Sequence, residues 1–185
     1  MENKKVKSAI ELAMEKVAAM PELKKEDVDQ YKNQEQFAIG EGIAKRFLQG
    51  VLRKKDLEGE FSKHEGETGQ IVRRAGLINL CEALSAADME KNKLIFEAIQ
   101  TVWKDLPVKK AQSELIKIHG KYKLQREKEI AAAIKTEATR FHEVGITGSA
   151  VLPNLKESPA WQQRQENLLK EFHTKLNPVR KMLQP

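Results

Sequence analysis

The run PVKKAQSELIKIHGKYKLQREKEIAAAIKTEATRFHE, from Pro107 to Glu143, decides the fold class of this chain. After Pro107 its only strong helix breaker is Gly120. The remainder is dominated by Lys, Glu, Ala, Leu, Gln and Ile, which lose little conformational freedom in a helix. One continuous helix is expected, opening at Pro107, where the missing N–H of proline costs little. At about 100° per residue, Val108, Ala111, Leu115, Ile118 and Tyr122 share one face, and Lys110, Lys117, Lys121, Lys128 and Lys135 form a narrow opposite stripe. Beyond the polar run Gln125 to Glu129 the apolar positions resume as Ile130, Ala133, Ile134, Ala138 and Phe141, rotated by roughly a quarter turn. In a straight helix one neighbour cannot cover both sets, so the two halves should face different surfaces.

The rest of the 185-residue chain agrees with a helical class. Aromatic residues are 5% and charged residues 32%, a mixture closer to helical bundles than to sheets, whose strands favour Val, Ile, Thr and aromatics. Hydrophobic residues reach 40%, too many for a wholly disordered chain. A first amphipathic helix reads from about Lys4 to Met20, ended by Pro21. A second runs from about Lys25 to Lys55, where Gly40, Gly42 and Gly50 weaken it and permit a kink or a close helix contact. The interval Asp56 to Gln70 holds Gly59, Gly66 and Gly69 among charges and reads as a mobile loop.

A third helix is expected over Gln70 to Leu84. Ser85 with Asp88 has the spacing of a capping box opening a fourth helix, although a continuous third and fourth helix fits the pattern equally. Ser158 before Pro159 reads as an N-cap followed by a first-turn proline, opening a last helix with Trp161, Leu168, Leu169, Phe172 and Leu176 on one face. Pro178 should end or bend it. The expected architecture is a single all-α domain over 1–185, a bundle of about five or six helices with one long helix near 107–143. No fixed-period repeat points to a solenoid.

Motifs of catalysis are missing at the spacings chemistry needs. His64, His119, His142 and His173 form no HExxH pair and no Glu-x-x-His of the di-iron kind, so no metal or other cofactor is expected. Gly40 to Lys45 lacks the GK[ST] ending of a phosphate loop, and Gly148-Ser149 lacks the flanking glycines of a nucleophile elbow. Cys81 is alone, so no internal disulfide forms; a small buried thiol in a cytoplasmic protein is the expectation. No stretch approaches the roughly 20 apolar residues of a membrane span.

Two surfaces stand out instead. The net charge is +6, and most of the excess is C-terminal, since residues 121–185 hold 12 basic and 7 acidic side chains. The lysine stripe Lys110, Lys117, Lys121, Lys128 and Lys135 spans ~38 Å on a continuous helix, long enough to follow several phosphates. It lacks interleaved aromatics for stacking bases, and a charged face opposite an apolar one is usually solvated. The second surface is the uncharged segment 144–155, VGITGSAVLPNL. Together with the rotated seam it gives Ile130, Ile134, Phe141, Ile146, Val151 and Leu152 as a candidate interaction surface. The leading reading is a non-enzymatic helical interaction or assembly protein that self-associates, two-fold pairing being the commonest closed form. The alternative is a nucleic-acid-binding protein using the lysine stripe, and an enzyme comes third.

Overall fold

The computed structural model describes residues 25–146, 148 and 152–184, together with Ile10 and Met14. The expected first helix, apart from those two residues, therefore lies outside the described residues. Among them the chain is all helical, without a strand. The elements are α1 (Lys25–Leu48), α2 (Lys54–Ser62), α3 (Gly66–Glu82), α4 (Met89–Val102), α5 (Val108–Glu143), a 3-10 turn (Leu155–Glu157), α6 (Pro159–Lys175) and α7 (Asn177–Leu183). The long run after Pro107 is one unbroken α-helix of 36 residues.

Small residues set the closest contact in the fold. A Cβ placed on Gly40 of α1 would stand 2.1 Å from the Val72 carbonyl oxygen and 2.8 Å from the Ala75 Cβ of α3. Only glycine lets these two backbones meet so closely. Gly76 of α3 makes room for the Phe61 ring, which a Cβ there would approach to 2.4 Å. Gly42, by contrast, faces open space. The second helix ends earlier than its periodicity suggests, at Leu48, because Gly50 adopts a φ of +75° that turns the chain into α2.

The glycine-bearing interval 56–70 is not a loop. Leu57 and Phe61, one turn apart on α2, are fully buried, and α3 starts at Gly66. The interval's charges sit on the outer side of α2 and reach its neighbours: Arg46 approaches Glu60 and Lys104 approaches Glu58, while Lys63 pairs locally with Glu60. Counting charges and glycines hid an apolar pair at i and i+4, enough to bury a nine-residue helix. The core then runs as one cluster from Ile43 and Ala44 through Leu57, Val72, Leu80, Ile95, Ile99, Leu115, Phe172 and Leu183.

Helices α3 and α4 are separate, and the turn between them is held by side chains from three other places. Asn92, buried in α4, accepts from the Ser85 N–H at 2.9 Å and donates back to the Ser85 carbonyl. His119 of α5 contacts the Ala86 carbonyl through Nδ1 at 2.7 Å; that nitrogen carries the proton, since a carbonyl only accepts. Arg180 of α7 donates to the carbonyls of Cys81, Glu82 and Leu84, at 3.1, 3.2 and 3.4 Å. The N-cap of α4 is Asp88, whose carboxylate accepts from the Lys91 N–H at 2.9 Å, so Ser85 is not the cap. Ser158 does cap α6, ahead of Pro159, and α6 ends before Pro178.

Candidate interaction surface

The first half of α5 belongs to the core: Val108, Ala111, Leu115, Ile118 and Tyr122 are all buried, as the 3.6-residue period requires. No residue of α5 after Tyr122 is buried, yet the helix continues to Glu143, about 30 Å further at 1.5 Å per residue. Among the described residues α6 accompanies it. Tyr122 meets Phe172 edge to face at 5.4 Å, Glu129 binds Arg164, and Glu137 accepts from the Ser158 hydroxyl at 3.1 Å. As numbers rise on α5 they fall on α6, which defines an antiparallel two-helix arm. Trp161 is buried in it, beside a groove of about 240 Å³ that is also lined by Ala133, Thr136 and Ala160.

The end of the arm is closed by backbone chemistry. The Ile146 N–H donates to the Phe141 carbonyl at 2.9 Å and the Gly145 N–H to the His142 carbonyl at 3.1 Å. With Gly145 at a φ of +79° this is a Schellman stop, which needs a residue tolerant of the left-handed region. After Leu152 the Asn154 side chain accepts from the Lys156 N–H at 3.2 Å and starts the 3-10 turn that leads into α6.

The structure divides the expected contact residues. Ile130 and Phe141 are half-buried, and Phe141 lines a shallow groove with Pro153, Ser158 and Pro159 of the returning chain. Ile134 (39% exposed), Ile146 (50%) and Leu152 (83%) remain accessible, whereas Val151 lies outside the described residues. The rotated seam is thus split between α6 and solvent, which the rotation of Ile134 away from Tyr122 explains.

Lys110, Lys117, Lys121, Lys128 and Lys135 are all exposed. Lys117 pairs with Glu114 at 3.0 Å; the other four have no ion pair among the described residues. The arm's acids are used differently. Glu129 takes two bonds from Arg164, which hold its carboxyl below the ordinary carboxylate range against the opposing effect of desolvation, and Glu137 is paired with Arg140 at 3.7 Å. On the opposite side Lys110, Lys121, Lys128 and Lys135 have no ion pair among the described residues, although the exposed Glu127 adjoins Lys128 in sequence.

Leu124, 55% exposed, with Ala131 and Ala138 at seven-residue intervals, lines the same outer face as Lys128 and Lys135. The lysine stripe drew attention to charge, and this apolar companion was missed although its period is written in the sequence. Nothing in these surfaces assembles a reaction centre. Among the described residues no group of three or more His, Cys, Asp or Glu side chains converges as a metal site would. Burial pushes the Cys81 thiol up to about 12, so it stays protonated and unreactive at neutral pH.

The fold and this surface define a class, an all-α protein whose long helix carries a two-helix arm out of the core. The chain matches no family model, no curated protein and no solved structure. Among the described residues no helix is long and apolar enough to cross a membrane.

Proposed function

We propose that this is a non-enzymatic assembly protein that self-associates through the arm. The observation that carries the reading is the uncovered outer face of α5, where Leu124 and Ile134 stay exposed along a stretch with no core neighbour. An apolar stripe of this kind is ordinarily covered by another surface. Ile146 and Leu152 are exposed at the arm's end as well. A cytoplasmic setting fits the single buried thiol. The test is mass against concentration by light scattering. Leu124→Asp with Ile134→Asp should leave the helical circular dichroism intact and lower the mass to that of one chain. An unchanged assembly in that variant removes the arm from the reading.

A second reading has its own observation, the exposed stripe of Lys110, Lys121, Lys128 and Lys135, which have no ion pair among the described residues. If they bind nucleic acid, Lys117, Lys121 and Lys128 changed to Gln should abolish a binding that weakens steeply with salt. Assembly predicts that the triple change leaves any such binding nearly unaltered.

A further inference from the structure

We infer that the outer face of α5 is covered by the first half of α1 from a second copy of the chain. The inference rests on the self-association reading and names its contact. On α5, Leu124, Lys128, Ala131, Lys135 and Ala138 fall on one exposed face, with Lys128 and Lys135 about 10 Å apart along the axis and Ala131 between them. Small residues at seven-residue spacing let another helix backbone approach, and the flanking lysines call for carboxylates.

That chemistry is present on α1. From Gln30 to Glu35 every residue of α1 is exposed, and Tyr31 keeps 65% of its surface free although tyrosine carries a large apolar ring. Glu35 stands exposed one turn after Tyr31 and Ala38 exposed one heptad after it, the spacing that Lys135 and Ala138 keep from Ala131. The pattern Tyr31, Glu35, Ala38 therefore matches the pattern Ala131, Lys135, Ala138 in length, and Glu35 opposes Lys135 in charge. Seating the Tyr31 ring over Ala131 places Glu35 beside Lys135.

Other occupants fit less well. Two α5 helices paired across their own two-fold would bring the rows of Lys128 and Lys135 together, and like charges at that range are unfavourable. Lipid insertion draws on large Trp, Phe or Leu anchors, whereas this stripe is built around alanine. Nucleic acid would use the lysines and leave Leu124 uncovered. Two reciprocal α1-on-α5 contacts close a dimer, as the isologous rule requires.

The test is sedimentation of the full chain with charges exchanged in pairs. Lys135→Glu, and separately Glu35→Lys, should each weaken the dimer roughly fivefold or more, while the two together restore most of the affinity. Ala131→Trp, which leaves every charge in place, should weaken it too by blocking the close approach. Circular dichroism of each variant should match the native chain. A native protein that is monomeric at every concentration overturns this inference and the assembly reading together. A native dimer unaffected by either change, or not recovered by making both, overturns the α1 contact alone. So does binding of a short DNA duplex that is lost on Lys135→Glu while the mass stays the same.

Discussion

Arg180 shows how a single side chain organises several elements. Its guanidinium is buried and gives its N–H groups to the carbonyls at the end of α3, to the His173 carbonyl and to the Asn177 side chain, the last two at 3.2 Å. A cation at the C-terminal ends of α3 and α6 also meets the negative end of each helix dipole. His173 accepts a further bond through Nε2 at 2.7 Å, which puts its proton on Nδ1 because a guanidinium has no acceptor. Arg180→Met keeps the volume and removes the donors, so it should lower stability by about 2–3 kcal/mol, read as a lower urea midpoint with an unchanged slope. An unchanged midpoint would show the network to be dispensable. None of this was legible beforehand, since the carbonyls that Arg180 binds at and just after the end of α3 lie about a hundred residues away in sequence. The buried face Val108, Ala111, Leu115, Ile118 and Tyr122 was legible to the residue, because helical period needs only local sequence.

Among the elements, α1 and α3 depend on glycine in one place and tolerate it in another. Gly40→Ala would set a methyl against the Val72 carbonyl, a backbone atom that cannot rotate away, and should destabilise by about 1–3 kcal/mol. Gly42→Ala meets nothing and should stabilise by about 0.5–1 kcal/mol through helix propensity alone. Thermal melts of the pair check the sign of each; two changes of the same sign would contradict the contact. Hydrogen exchange makes a second comparison. Amides near Leu57 and Phe61 should be protected like those of α3, and amides of α5 after Tyr122 should exchange faster. The arm should loosen further in acid. Glu129 is held below its ordinary value by Arg164, so its stabilising contribution is complete above the unfolded carboxylate range and fades as pH falls through the lowered folded value. Arm amides that keep full protection across that window would deny Glu129 this role. The helix α2 escaped the sequence reading because its buried face has only Leu57 and Phe61, too few to outweigh Gly59 and five charges. The Ser85 cap failed for a related reason: Asn92 captures both backbone groups of Ser85 and leaves Asp88 to start α4.

At the scale of the whole molecule, a core and an arm are joined by two helices, α5 and α6. Val108 to Tyr122 fix α5 in the core, and Gly145 fixes where the arm turns back. The quarter-turn rotation after Gln125 announced that the second half of α5 faces something else; there Ile130 and Phe141 are half-buried while Ile134 stays open. What covers the open side was not legible, because periodicity shows that a face is apolar and says nothing about which copy of the chain supplies the neighbour. The complementarity of Tyr31 and Glu35 with Ala131 and Lys135 emerged only when both faces proved to be exposed. Self-association is the central claim, and sedimentation of the native chain over a wide concentration range at moderate salt tests it most directly. The account predicts a mass rising with concentration to about twice the 21.1 kDa of one chain, with the transition moving to higher concentration as salt is raised. A mass that stays at 21.1 kDa throughout would contradict it.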